Sequence, residues 1–214
     1  MNKNEVDMDI FMICKKIDKK AFKNLPKEYF ARNLRKTELE IWKKLPFFEY
    51  EYTEKEHNIM TEWYNLLYGK NEELFYNKCL VVCNRKDEII GTGFLWRSYD
   101  CQINSVHWLK VIPEYESKGI GRALLTILFQ NIEEKDLPIY LHTQTGSYRA
   151  IKLYSDFGFK ILTDSKIGKI NNEINECKGI LKKYIPKEHF RKIKYVKAPK
   201  RFLDIIGKYE YKEI

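Results

Sequence analysis

Apolar and polar positions along this chain alternate between two periods. Residues 9–16, Asp-Ile-Phe-Met-Ile-Cys-Lys-Lys, form a short continuous apolar run, which predicts a buried first strand. From there to about Asn77 the spacing is helical. Thr37-Glu38-Leu39-Glu40 predicts a helix start, in which a threonine hydroxyl and a glutamate three residues on answer free N–H groups, with a stop before Pro46. Thr53-Glu54-Lys55-Glu56 repeats the device; Met60, Trp63, Tyr64 and Leu67 mark one apolar face, and Gly69 suits the C-terminal stop. A block of strands follows. Residues 79–83 and 89–96 are joined by the polar run Asn84-Arg85-Lys86-Asp87-Glu88, which predicts a hairpin, and Tyr99-Asp100 turns the chain into a third strand over 103–111.

The chain then changes character. Pro113 stops that third strand, because proline cannot donate to a central ladder. A polar loop, Glu116-Ser117-Lys118-Gly119-Ile120-Gly121, leads into Leu124, Leu125, Leu128 and Ile132 at helical spacing. Two glycines at a strand-to-helix turn let backbone N–H groups point outward, and a helix N-terminus adds partial positive charge, so the turn is a candidate anion cradle. A Walker loop is excluded because Arg122-Ala123 follows Gly121 where Lys-Ser/Thr is needed. A dinucleotide fingerprint is excluded because Leu124 stands where a third glycine or alanine belongs. Beyond the helix, residues 138–143 predict a short buried strand. Ser147 is placed to cap a helix with Ala150, Leu153, Tyr154 and Phe157 as its apolar stripe, Gly158 ends it, and 159–162 predict another strand.

Composition narrows the picture. With 214 residues and 44% hydrophobic content, the chain suits one domain with a sizeable core and room for an appendage. No stretch approaches the roughly 20 apolar residues of a membrane span, and the first residues carry no signal-peptide core, so the expectation is a cytoplasmic protein without a membrane partner. Five cysteines, an odd number without CxxC pairing, predict reduced thiols, with Cys79 and Cys83 as core packing. No zinc spacing is present, and no metal is expected. From Lys178 onward there are twelve Lys/Arg against four Asp/Glu, so this tail holds +8 of the formal +9. It also carries Phe190, Phe202, Leu203, Ile205 and Ile206, too many apolar groups for a solvated tail, and so predicts an ordered extension.

Two of these stretches together resemble a known family. The frame Leu109-Lys110-Val111 … Ser117-Lys118-Gly119-Ile120-Gly121-Arg122 resembles motif A of the GCN5-related N-acetyltransferases (GNAT), with Glu116 where that family usually has Gln or Arg. The run from Ala150 to Phe159, with Leu153-Tyr154 and Gly158-Phe159, resembles motif B, with Ser147 in the usual asparagine position. The resemblance covers about residues 79–164. It implies an α/β fold with a mixed, mostly antiparallel sheet flanked by helices. On this reading residues 1–184 form the acetyltransferase domain, and 185–214 form a basic extension packed on it that holds the last strand of the family.

The same resemblance implies direct transfer of an acetyl group from acetyl-CoA to a primary amine. Main-chain amides at Ser117, Lys118, Gly119, Ile120, Gly121 and Arg122, with Ser147, would hold the pyrophosphate. A bulge at Leu109, Lys110 and Val111 would turn an amide toward the thioester, and Tyr154 would be the general acid. Amine attack needs a proton acceptor. His107, two residues before Leu109 and so expected on its strand face, and His142, on the neighbouring strand, are candidate bases, with Glu51 a weaker third. The aromatic and acidic run Phe47-Phe48-Glu49-Tyr50-Glu51-Tyr52 could wall a site for a cationic amine. The acceptor is left open between small amines and protein amines, and relatives often form homodimers. A different class stays open as the alternative: a degenerate acyl-CoA-binding module whose basic tail binds RNA or the ribosome. On the main reading nucleic acid is not a partner.

Overall fold

The computed structural model describes residues 8–48, 52–210 and 213. In chain order the strands are β1 (Asp9–Cys14), β2 (Phe30–Asn33), β3 (Leu80–Cys83), β4 (Ile89–Arg97), β5 (Ile103–Val111), β6 (Ile139–Gln144), β7 (Lys160–Leu162), β8 (Lys166–Ile167), β9 (Ile170–Asn171) and β10 (Tyr195–Val196). The helices are α1 (Leu39–Lys44), α2 (Glu54–Leu67), α3 (Glu72–Lys78), α4 (Ile120–Phe129), α5 (Tyr148–Asp156), α6 (Ile174–Tyr184), α7 (Lys187–Phe190) and α8 (Lys200–Ile206). Eight strands follow the order β10-β7-β1-β6-β5-β4-β3-β2 in a mixed, helix-flanked sheet. Pairing is antiparallel for β1–β6, β1–β7, β2–β3 and β3–β4, and parallel for β5–β6 and β7–β10. This is the α/β arrangement expected from the sequence.

The chain divides into two compact units. The first comprises residues 1–21, 97–105 and 132–214, and the second residues 22–96 and 106–131. The core of the second unit is aromatic. Trp42 of α1, Tyr64 and Tyr68 at the end of α2, Phe75 of α3 and Phe94 of β4 are all buried, and the Trp42 ring lies 5.1 Å from Phe75 and 6.4 Å from Phe94. Helix α2 begins at the expected cap, where the Thr53 N–H donates to the Glu56 carboxylate at 3.2 Å, and it buries Met60 and Tyr64 as the periodicity predicts. Helix α1 also ends before Pro46, but its start differs. The Arg35 N–H donates to Glu38 at 2.9 Å, so the glutamate closes the turn three residues after Arg35 rather than after Thr37. Strand β2 lies inside the stretch read as helical. It is an edge strand of four residues without alternation, held by its ladder to β3 and by Arg32, which bonds Glu38 at 2.7 Å and Asp87 at 2.8 Å. Cys79 and Cys83 are buried free thiols, and burial pushes them up to about 12 and about 11.

The first unit is built on β1 with β6 and β7 on either side. Its apolar cluster includes Phe11, Ile13, Leu162, Phe202, Ile205 and Ile206. The basic tail is therefore ordered through α8, whose Phe202 ring stacks on Tyr140 at 4.0 Å and 7°, while β10 adds a parallel strand to β7. Gly158, after α5, has φ +98°, and a Cβ there would lie 2.5 Å from the Lys16 carbonyl oxygen, so only glycine fits this close approach. Among the described residues no helix is long and apolar enough to cross a membrane, and no group of three His, Cys, Asp or Glu could hold a metal ion.

Candidate functional site

In the second unit β5 runs into the loop that opens α4. The strand ends at Val111, as Pro113 requires, and a single helical turn over Pro113–Tyr115 leads to the glycine turn. Ser117 has φ +60° and Gly119 φ +82°, both left-handed, and Gly119 is the N-cap of α4. A Cβ on Gly119 would meet nothing within 4 Å, so the backbone there faces open space. The N–H groups of the first turn of α4 point out along the axis, because no preceding turn offers them carbonyls. Left-handed residues before a helix N-terminus make a concave set of N–H donors suited to an anion. The Lys118 ammonium sits 4.7 Å over the Tyr115 ring. The loop at Ser117, Lys118 and Gly119 is exposed, Ile120 is buried and Glu116 is half-buried. Behind it, α4 buries Ala123, Leu124, Leu125 and Phe129, whereas Leu128 is only half-buried and Ile132 lies past the helix end.

Strand β5 is irregular at Trp108, where φ is +50°. Regular strands send consecutive side chains to opposite faces. Here consecutive residues reach the same hydroxyl: the Trp108 Nε1–H donates to Tyr68 Oη at 2.9 Å, and Tyr68 Oη lies 2.5 Å from His107 Nδ1. An indole N–H can only donate, so the Tyr68 hydroxyl accepts from Trp108 while lying within hydrogen-bond distance of His107 Nδ1. After Trp108 all of Leu109, Lys110 and Val111 are half-buried, without alternation. Glycines on β4 make room for this. A Cβ on Gly93 would stand 3.0 Å from Leu109 Cδ1, and one on Gly91 3.0 Å from the Lys110 carbonyl oxygen. His107 packs instead on Phe94, with ring centroids 5.6 Å apart. Gly93 and Phe94 are consecutive on β4 and present opposite faces, so His107 does not share the face of Leu109. The irregular residue between them breaks the two-residue rule behind that expectation. His107 is also shut away, 5% exposed, and burial pushes its pKa down to about 3. It is neutral at physiological pH and a poor proton acceptor.

The first unit carries the remaining candidates. His142 on β6 places Nε2 2.6 Å from Asp9 Oδ1, across the β1–β6 ladder in which Phe11 faces His142. Both side chains keep partial exposure, 14% for His142 and 24% for Asp9. An aspartate oxygen beside Nε2 fixes that nitrogen as the N–H and leaves the lone pair on Nδ1. Tyr154 lies on α5 and is buried, with its ring 5.7 Å from Phe159, and burial pushes its phenol above the ordinary tyrosine range. The buried stripe of α5 is Ile151 and Tyr154, followed by Phe157; Ala150 and Leu153 are half-buried. Ser147 is the N-cap residue of α5, but its side chain makes no cap hydrogen bond. Glu51 lies outside the described residues, as do Glu49 and Tyr50 of the aromatic and acidic run. Sequence reasoning missed Asp9 and Tyr68, because each matters through a partner more than 35 residues away along the chain. The Gly91-Thr92-Gly93 pair of glycines in an apolar strand was the available signal for close approach at β5.

Residues 35–159 match the model of the acetyltransferase (GNAT) family. The chain belongs to the GNAT acetyltransferase family. Acyl transfer is the chemistry that this family and fold imply. Two solved structures agree at the level of the fold. A protein from Pyrococcus horikoshii OT3 aligns with TM-score 0.52 and 23% identity, over 65% of this chain and 94% of its own. A GCN5-related N-acetyltransferase from Sphaerobacter thermophilus aligns with TM-score 0.50 and 16% identity, over 73% of this chain. A GNAT-family acetyltransferase from Colwellia psychrerythraea gives TM-score 0.49 and 16% identity, also over 73%. This GNAT chain spans about half the length of the last two, 49% and 53%. No curated protein matches it.

Proposed function

We propose that this GNAT protein transfers the acetyl group of acetyl-CoA directly to a primary amine. The observation that carries the reading is the left-handed turn at Ser117 and Gly119, open at the Gly119 Cβ position and set at the N-terminus of α4. A diphosphate needs outward N–H donors with no side chain in the way, and this turn provides them; acetyl-CoA bound there would supply the thioester. The half-buried Glu116, next to this turn, carries a charge that opposes an anion. Main-chain amides at Leu109 to Val111, freed from regular alternation by Trp108, polarise the carbonyl and stabilise charge that develops on its oxygen.

For the proton acceptor the reading favours His142 over His107. His107 is enclosed and held neutral, whereas His142 is partly exposed and has Asp9 to hold its tautomer and to stabilise an imidazolium. His142 Nδ1 takes the proton of the attacking ammonium, nitrogen bonds to the carbonyl carbon, and the C–S bond breaks. Tyr154 then gives its phenolic proton to the departing sulfur. The acceptor is an amine of small-molecule or protein origin. The test is thiol release from acetyl-CoA across polyamine, aminoglycoside, lysine and peptide N-terminal acceptors, with coenzyme A affinity measured in parallel by calorimetry. Saturable binding with amine-dependent thiol release is expected, whereas no heat with the coenzyme would overturn the reading.

A further inference from the structure

The first unit contains a cavity of about 390 Å³ that the acyl-transfer reading does not use. Its wall brings together Lys16 from the segment after β1, Lys160 from β7, and Lys192 and Lys194 from the segment before β10. Lys160 is half-buried and the other three are exposed. Among the described residues no carboxylate lies in ion-pair range of any of the four ammonium groups. Asp18 is the single acidic residue in the lining; its Oδ1 accepts from the Lys20 N–H at 3.0 Å, and its charge offsets one of the four lysines. Ser155 also lines the cavity, and its hydroxyl oxygen, shut off from solvent, has no hydrogen-bond partner among the described residues.

On an open surface, four lysines would be screened over a Debye length of about 8 Å at physiological salt and would need no explanation. Gathered around a concavity, the same charges direct their field into one volume. The fold holds this arrangement firmly: Gly158 lines the cavity, and its left-handed backbone locks against Lys16 with no room for a side chain. We propose that the cavity is a binding site for a small ligand bearing two or more phosphates. Lysines serve as point charges for phosphate, and the volume lies at the lower end of small-molecule sites, which run from about 300 to 1,000 Å³. A single-stranded nucleic acid fits less well. Base stacking needs an exposed ring, and the aromatic ring in this lining, Phe159, is 1% exposed.

The experiment is calorimetric titration of inorganic tripolyphosphate into the full chain at physiological ionic strength, with and without saturating coenzyme A. A single saturable site is expected, indifferent to coenzyme A and to Gly119→Asp. The combined change Lys160→Gln and Lys194→Gln should weaken it about tenfold or more, as loss of hydrogen bonds to a charged group does. Lys192→Gln, at an exposed position that does not bear on folding, should weaken it about threefold by the same loss taken once. Absence of saturation, loss of the site with coenzyme A or Gly119→Asp, or unchanged affinity in the lysine variants would each overturn the proposal. So would lysine-dependent binding of single-stranded RNA by a chain that ignores tripolyphosphate. Because the cavity lining shares no residue with the glycine turn, its failure leaves the acyl-transfer reading intact.

Discussion

Gly119 and Gly158 both have positive φ, yet they fail differently when substituted, and the difference separates function from folding. Gly119→Asp adds a carboxylate where a Cβ meets nothing within 4 Å. The left-handed cost is about 1–2 kcal/mol, and aspartate tolerates it better than most residues. The fold should therefore survive, while coenzyme A affinity falls by two orders of magnitude or about that, from a charge set against a diphosphate. Calorimetry on a variant of near-normal melting temperature checks it, and unchanged affinity would place the anion elsewhere. Gly158→Ala puts a methyl group 2.5 Å from a backbone oxygen. We expect a loss of about 3 kcal/mol or more, read as a lower urea midpoint. At Tyr154 the issue is chemistry. Burial keeps its phenol protonated through the physiological range. Tyr154→Phe should lower turnover about 100-fold, the scale of a lost general acid, with coenzyme A affinity held within about twofold. Wild-type turnover in that variant would remove Tyr154 from the mechanism.

Elements were legible where one period governed them and illegible where a partner did. The α2 cap, the β3–β4 hairpin, the end of β5 at Pro113 and the start of α4 at Gly119 follow from local sequence, because caps, turns and glycines act within a few residues. The four residues of β2 carry no period of their own and depend on β3 and on the ion pairs of Arg32. The irregular backbone at Trp108 could be anticipated only by resemblance, since tryptophan has no preference for φ +50°; its indole bonds Tyr68 and Gly93 leaves room beside Leu109. Helix α8 shows the opposite case: its apolar residues predicted order, and the stacking of Phe202 on Tyr140 supplies it. Because Phe202 is 1% exposed, Phe202→Ala should cost about 3–5 kcal/mol, the range for deleting a buried phenylalanine. Denaturant titration measures that loss, and a near-neutral result would mean that α8 adds nothing to the stability of the first unit.

For the molecule as a whole, the two motifs and their order were readable, whereas pairings across long sequence separations, such as Asp9 with His142, and the lysine cavity were not. One such pairing gives the chain a measurable pH dependence. His107 titrates at about 3 when folded and at 6.5 in an unperturbed setting. Well above pH 6.5 both states hold it neutral and it contributes no slope. Below 6.5 the unfolded chain binds a proton that the folded chain refuses, so stability is lost as pH falls toward 3. From pH 6.5 to 5 that loss amounts to about 2 kcal/mol. The window is informative because Glu38, Glu56 and Asp87, held below their ordinary values of 4.5 and 3.8 by hydrogen bonds and cations, lose their contributions only at lower pH. Urea titrations at pH 6.5 and 5.0, on wild type and His107→Gln, isolate the effect as the difference between their slopes. Equal slopes in the two proteins would mean that His107 accepts a proton in the folded state, which would reopen its candidacy as the base.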